Sequence, residues 1–289
     1  MEIIRKAYAK LNFGLDVTGR RADGYHLVKM IMQNINIYDT LTFKDSNTGE
    51  IRLSCSSDRI PADDSNLIVK VAKQLREEFS LDKGVDITLE KRIPAAAGMA
   101  GGSTDAAACY HALNELWKLG LSQEELLRLG VKLGADIPYC IVGGTALAEG
   151  IGEELTVLKD CPKLPLVIAK PSIDVSTGWV YKELDDSTDI DHPDIDGIRR
   201  AMEEGNIAKM CSLIGNVLEP VTASKYVVIK EIEKILEDGG AIRAFMTGSG
   251  PTVFGIYEDE KRAKEGFEQI KMSGLAPELF LTETINPNR

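Results

Sequence analysis

Residues 94–108, Pro94-Ala95-Ala96-Ala97-Gly98-Met99-Ala100-Gly101-Gly102-Ser103-Thr104-Asp105-Ala106-Ala107-Ala108, run from a glycine-rich loop through two hydroxyls and a carboxylate into an alanine-rich helix. The glycines allow a tight turn and a close backbone approach to a ligand. The first N–H groups of the helix that follows have no intrahelical partner and sit at the positive end of its dipole. Such a loop suits an anion, and polyphosphate is the natural guest. The same residues also describe a glycine-rich turn ahead of an ordinary buried helix, so other segments must decide. Neither Gly-x-x-x-x-Gly-Lys-Ser/Thr nor Gly-x-Gly-x-x-Gly occurs here. Charge neutralisation must therefore come from main-chain amides, a metal ion and lysines elsewhere.

The chain has 289 residues, enough for two lobes sharing a cleft. Lys and Arg total 34 against 45 Asp and Glu, a net charge of -11 that argues against a nucleic-acid surface. Five cysteines, Cys55, Cys109, Cys140, Cys161 and Cys211, are scattered without Cys-x-x-Cys spacing and read as buried thiols. No run of 18 apolar residues and no leader-like N-terminus is present. A soluble, cytoplasmic protein is expected, acting on a small molecule, with no nucleic-acid or membrane partner, as a monomer or homodimer.

Outward from the loop, apolar alternation predicts strands over 2–18, 31–43 and 85–89, and a helix starting at Asp64-Ser65-Asn66 with Leu67, Ile68, Val71, Leu75 and Phe79 on one face. The helix after the loop is expected over Ser103–Leu119, with Gly120 as its stop. A second opens on the capping box Ser122-Gln123-Glu124-Glu125 and ends near Gly134. Ala135-Asp136-Ile137-Pro138 then leaves the helix, and a strand or bend follows around 141–148. Pro162 and Pro165 mark a boundary, giving lobes 1–160 and 161–289. In the second lobe, 166–169 reads as a buried strand, 185–196 as a solvated acidic loop, and the stretch up to 237 as two or three helices. The strands 241–246 and 252–257 then flank the turn Thr247-Gly248-Ser249-Gly250-Pro251, and a helix from Asp259 and a strand over 279–284 complete the chain.

Three segments together decide between the two readings of the loop: Ala9-Lys10-Leu11-Asn12, the 94–108 loop, and Met246-Thr247-Gly248-Ser249-Gly250-Pro251-Thr252-Val253-Phe254. In this order they resemble the three motifs of the GHMP kinase superfamily, and the resemblance spans nearly the whole chain. Arg21-Ala22-Asp23-Gly24-Tyr25-His26, Leu133-Gly134-Ala135-Asp136-Ile137-Pro138 and Ala148-Glu149-Gly150-Ile151-Gly152 are similar to the branch that phosphorylates a cytidylyl-linked methylerythritol. The fold implied is α+β with two lobes, an N-terminal ribosomal S5 domain 2-like lobe and a C-terminal ferredoxin-like α/β sandwich. The activity implied is transfer of the γ-phosphoryl of ATP, with Mg2+, to the 2-hydroxyl of 4-diphosphocytidyl-2-C-methyl-D-erythritol in non-mevalonate isoprenoid biosynthesis.

Phosphoryl transfer needs in-line positioning, charge compensation and a base beside an alcohol that does not ionise unaided. By resemblance, Asp136 is the general base and Lys10 the catalytic lysine that keeps it ionised and favours charge on the reacting oxygens. The ATP phosphates would lie against Pro94, Ala95, Ala96, Ala97, Gly98, Met99, Ala100, Gly101, Gly102, Ser103 and Thr104. Mg2+ would lie near Ser103 and Thr104, and Asp105 would act as a nearby helix cap. Asn12 would meet the methylerythritol hydroxyls, Tyr25 would stack on cytosine, and His26 would bond its polar edge. Tyr181 is a candidate for the second face of the cytosine site or for core packing, and Asn66 and Lys91 fall where relatives build the adenine pocket. His111 and His192 have no partner at zinc spacing and are read as structural. Ala100 stands where many relatives have glycine, which predicts altered loop detail with activity retained. The rival readings are a superfamily kinase for a mevalonate-like, homoserine or sugar alcohol, and a non-catalytic binding protein of the same fold.

Overall fold

Long alternating strands dominate the chain because the apolar residues of 2–46 recur every second position. The computed structural model describes residues 1–188 and 190–287. The chain forms two compact units: one of Met1–Ala9, Ile37–Ala95 and Ala100–Val142, the other of Lys10–Asn36, Ala96–Met99 and Gly143–Arg289. Each of the first two strands, Glu2–Arg20 and His26–Ser46, contributes residues to both units.

In the first unit, residues 40–46 pair antiparallel with strand Gly84–Glu90, which pairs parallel with Ile51–Cys55. Helix Leu67–Glu78 begins where expected, its Asn66 side chain accepting the Ile68 N–H at 2.9 Å as an N-cap. Its face of Ile68, Val71, Ala72 and Leu75 is buried against helix Gly101–Leu116. That second helix is buried nearly all round, and Ala106, Ala107, Ala108 and Ala112 let its neighbours come close. Helix Gln123–Gly130 has the expected capping box.

Two expectations change here. The helix after the loop starts at Gly101 and ends at Leu116, so Ser103, Thr104 and Asp105 lie inside it. Ala135-Asp136-Ile137-Pro138 enters a helix, Ile137–Val142, because the missing N–H of Pro138 falls in a first turn where no partner was due.

In the second unit, residues 30–33 pair antiparallel with strand Thr145–Glu149, which turns at Gly150 into Glu154–Val157. Gly14 and Leu15 pair in parallel with Gly215 and Asn216. A separate antiparallel sheet has the order Glu278–Glu283, Pro165–Lys170, Val253–Ile256, Arg243–Met246. Helices Val228–Asp238 and Glu260–Ser273 pack on it around Val167, Ile232, Leu236 and Ile270. Helices Ile195–Glu203, Ile207–Leu213 and Glu219–Lys225 precede Val228–Asp238, so the stretch up to residue 238 holds four helices where two or three were expected. The acidic stretch 185–196 is a loop only in its middle, with Asp185 ending helix Thr177–Asp185 and Ile195 and Asp196 opening the next; residue 189 lies outside the described residues. Cys109, Cys161 and Cys211 are buried, while Cys55 and Cys140 are partly exposed. Among the described residues no helix is long and apolar enough to cross a membrane.

Candidate active site

The glycine-rich loop folds tightly. Ala96, Gly98 and Ala100 all take left-handed backbone conformations, with φ of 51°, 71° and 57°. A Cβ on Gly98 would lie 2.6 Å from the Thr247 carbonyl oxygen, so only glycine fits there. Ala100 supplies the αL turn that glycine supplies elsewhere, and it is the N-cap of the following helix without any side-chain cap bond. Such a conformation costs an L-residue on the order of 1–2 kcal/mol. With no side-chain cap at Ala100, the N–H groups of Gly101, Gly102 and Ser103 remain available to an anion.

Lys10 lies on the strand Glu2–Arg20, within residues 9–16 where both faces of the strand are buried; it is 5 % exposed. Its Nζ donates to Asn12 Oδ1 at 2.7 Å and to the Gly98 carbonyl at 3.1 Å, while its main-chain N–H donates to the Met99 carbonyl. The Asn12 N–H donates to Thr247 Oγ1 at 3.0 Å. Lys10, Asn12, Gly98 and Thr247 thus form one network. Asn12, 1 % exposed, spends its carbonyl oxygen on Lys10, a structural duty that the expectation of substrate contact did not include.

The turn bearing Thr247 is held from beneath. Asn216 donates both amide hydrogens, to the Met246 carbonyl at 2.9 Å and the Gly248 carbonyl at 2.7 Å. Glu219 accepts the Met246 N–H, and Thr222 donates to the Ser249 carbonyl. Sequence reasoning missed Asn216 and Glu219, because nothing local to Gly215-Asn216-Val217-Leu218-Glu219 signals a partner some thirty positions onward.

Asp136 belongs to the first unit. Its carbonyl accepts the Cys140 N–H at 3.1 Å and so starts helix Ile137–Val142. Its carboxylate has no hydrogen bond or ion pair among the described residues. The fold therefore leaves this carboxylate free for chemistry.

Inside the helix after the loop, Thr104 is 4 % exposed and its hydroxyl donates to the Tyr8 carbonyl at 2.8 Å. Asp105 is no cap. Its Oδ2 accepts from Lys91 Nζ at 2.9 Å, and the same ammonium pairs with Asp39. Asp39 also accepts the N–H groups of Arg92 and Ile93. Two carboxylates thus share one buried ammonium, and Asp105 Oδ1 has no partner. Burial, aided by the neighbouring Asp39 charge and opposed by Lys91, pushes the Asp105 carboxyl up to about 8. Lys91 and Asn66 are both engaged within this unit, Lys91 with the carboxylates and Asn66 as a helix cap that also donates to the Pro61 carbonyl. Of the loop hydroxyls, Ser103 alone is uncommitted.

Because native Asp105 keeps its proton up to about pH 8 and an unfolded aspartate loses it near pH 4, the native state binds more protons in that window. Stability is thus expected to fall as pH rises from about 4 through 8, by at most ~1.4 kcal/mol per pH unit from this group. Asp105→Asn should remove that slope. Urea denaturation of both proteins between pH 5 and 9 checks it: the stability difference should drift in favour of the variant as pH rises, and parallel profiles would refute the raised Asp105 pKa.

In the second unit, Arg21-Ala22-Asp23-Gly24-Tyr25 forms a turn closed by the Arg21 N–H to the Tyr25 carbonyl at 2.7 Å, with Gly24 at φ 91°. Tyr25 is 60 % exposed, a large aromatic offered to solvent. His26 stacks on Tyr181 with centroids 4.6 Å apart, and its Nε2 lies 2.7 Å from Asp185 Oδ1. His111 is half-buried on the helix after the loop and bonds the Ile141 carbonyl, and His192 pairs with Asp16 at 2.7 Å. Among the described residues no group of three or more His, Cys, Asp or Glu could hold a metal ion.

A glycine-rich loop ahead of a helix with open N–H groups, a buried lysine braced by an amide and an aspartate without a side-chain partner among the described residues are each the kind of part that phosphoryl transfer uses, and the fold that carries them is α+β. Family models agree: the GHMP kinases N terminal domain matches residues 66–144 and the GHMP kinases C terminal domain matches 189–273. The chain belongs to the GHMP kinase family. It is 47 % identical, over 99 % of its length and 100 % of the relative's, to a 4-diphosphocytidyl-2-C-methyl-D-erythritol kinase of Lachnospira eligens. A crystal structure of a 4-(cytidine 5'-diphospho)-2C-methyl-D-erythritol kinase superimposes with a TM-score of 0.81 at 30 % identity, covering 98 % of this chain and 99 % of that one. Homoserine kinase from Cytophaga hutchinsonii, at 17 % identity with a TM-score of 0.78 over 99 % of this chain and 95 % of that one, shares the fold.

Proposed function

We propose that this chain transfers the γ-phosphoryl of ATP to the 2-hydroxyl of 4-diphosphocytidyl-2-C-methyl-D-erythritol, yielding the 2-phosphate and ADP, in non-mevalonate isoprenoid biosynthesis in the cytoplasm. The observation that carries this reading is the near full-length identity with kinases named for that substrate. The free Asp136 carboxylate and the braced Lys10 ammonium support it. Lobes 1–160 and 161–289 are the functional division, and the two family matches fall on either side of residue 160.

Asp136 takes the proton of the 2-hydroxyl as its oxygen attacks the γ-phosphorus, and the bond from phosphorus to the β–γ bridging oxygen breaks to leave ADP. Lys10 offsets negative charge on the moving oxygens. The 94–104 loop holds the phosphates, chiefly through the open N–H groups of Gly101, Gly102 and Ser103. Bound Mg2+ supplies charge neutralisation on the β- and γ-phosphates. Ser103, whose hydroxyl has no partner among the described residues, is the residue that would hold it. Asn12, through the amide hydrogens that Lys10 does not use, meets the methylerythritol hydroxyls. Tyr25 stacks on cytosine and His26 bonds its polar edge. A mevalonate or homoserine acceptor would leave that pair unused.

The test is coupled ADP release with ATP and Mg2+. Turnover is expected with the cytidylyl-linked acceptor and none above background with mevalonate or homoserine. A kcat/KM for either control equal to or above that for the cytidylyl acceptor would overturn the reading.

A further inference from the structure

The carboxylate of Asp185 is misplaced by helix electrostatics. It lies in the last turn of helix Thr177–Asp185, where the dipole disfavours negative charge. Its two oxygens are nevertheless engaged, Oδ1 by His26 Nε2 at 2.7 Å and Oδ2 by Arg20 at 3.0 Å. Arg20 also donates through Nε to the Gly24 carbonyl at 3.2 Å, so Asp185 reaches the Tyr25–His26 turn from both ends. The His26 ring is further fixed by its stack on Tyr181, one turn before Asp185 on the same helix.

A carboxylate accepts hydrogen bonds only, so Nε2 of His26 must carry a hydrogen. In the neutral imidazole Nδ1 is then a lone-pair acceptor, and it has no partner among the described residues. An acceptor at that point suits the 4-amino group of cytosine and rejects the 4-oxo group of uracil, which can only accept. We infer that Asp185 is a positioning residue that sets cytosine-over-uracil specificity by locking the tautomer of His26, an inference that rests on the base-reading role proposed above for His26.

Asparagine in place of Asp185 can turn its NH2 toward Nε2, which moves the imidazole hydrogen to Nδ1 and makes that nitrogen a donor. CDP and UDP are the probes, titrated by calorimetry at pH 8, above the range in which an imidazole ordinarily takes a second proton, with ADP filling the ATP site. The wild type should bind CDP about tenfold or more tighter than UDP, the worth of one hydrogen bond made against one refused. Asp185→Asn should shrink that ratio to within about threefold, whereas Arg20→Gln, which loosens the turn but leaves the imidazole partner in place, should weaken both ligands alike. Nitrogen-15 shifts of His26 should show the Nε2–H form in the wild type and an Nδ1–H share in Asp185→Asn.

No CDP preference in the wild type, or a preference that survives His26→Phe, would remove the base-reading role itself. A preference lost in His26→Phe but intact in Asp185→Asn would overturn the role of Asp185 alone. Equal weakening of both ligands by Asp185→Asn, or an Nδ1–H wild type, would do the same.

Discussion

Asp136→Asn should lose about 10²–10⁴-fold in kcat, the usual worth of a positioned general base, with the KM for ATP within about twofold. The variant should fold normally. Asparagine is as good a residue as aspartate ahead of a helix start, and the Asp136 carbonyl that begins helix Ile137–Val142 is untouched. No neighbour loses a partner, since the carboxylate has none among the described residues. Steady-state kinetics with a melting curve on the same preparation separate chemistry from stability. A kcat within about threefold of wild type would remove Asp136 as the base, because an amide cannot take the hydroxyl proton.

Much of this arrangement is legible in the chain. Elements set by local rules came out as read: the Asn66 cap, the Ser122–Glu125 capping box, and the long first strand. Ala100 in a left-handed turn fits the expectation that alanine can serve where relatives have glycine. The tight loop leading into a helix was readable because its signal, glycine spacing ahead of a helix, is itself local.

The remainder depends on contacts between distant positions. Asp105 reads as a cap from its neighbours, but its partner Lys91 lies on the far side of the loop and Asp39 much earlier. A proline after Asp136 reads as a helix stop unless the helix is known to begin there, and a six-residue helix has no periodicity to reveal it. The hairpin of Thr145–Glu149 and Glu154–Val157 was missed as a hairpin because its first strand is buried throughout and shows no alternation. Asn216 beneath the Thr247 turn and Asp185 beside His26 are visible only once the chain has folded.

Lys10→Met should lower kcat by about 10²–10³-fold, the measured scale for removing one preorganised donor from a developing negative charge. Methionine fills the aliphatic volume, so the strand should stay packed. The loss is that of the ammonium, whose two protein partners, Asn12 Oδ1 at 2.7 Å and the Gly98 carbonyl at 3.1 Å, aim it while leaving a third hydrogen for the substrate. Lys10→Arg keeps the charge and should still fall at least about tenfold, because a planar fork cannot replace a point charge held between an amide oxygen and a loop carbonyl at a site only 5 % exposed. Asn12→Ala frees one restraint and removes the proposed substrate contact, so its loss should be divided between kcat and the acceptor KM. Combined with Lys10→Met it should add less than its own separate effect to the kcat loss, since the two side chains act on one charge. Fully additive kcat losses, or an arginine variant with wild-type turnover, would show that the Asn12 brace and the compact ammonium are incidental to transfer.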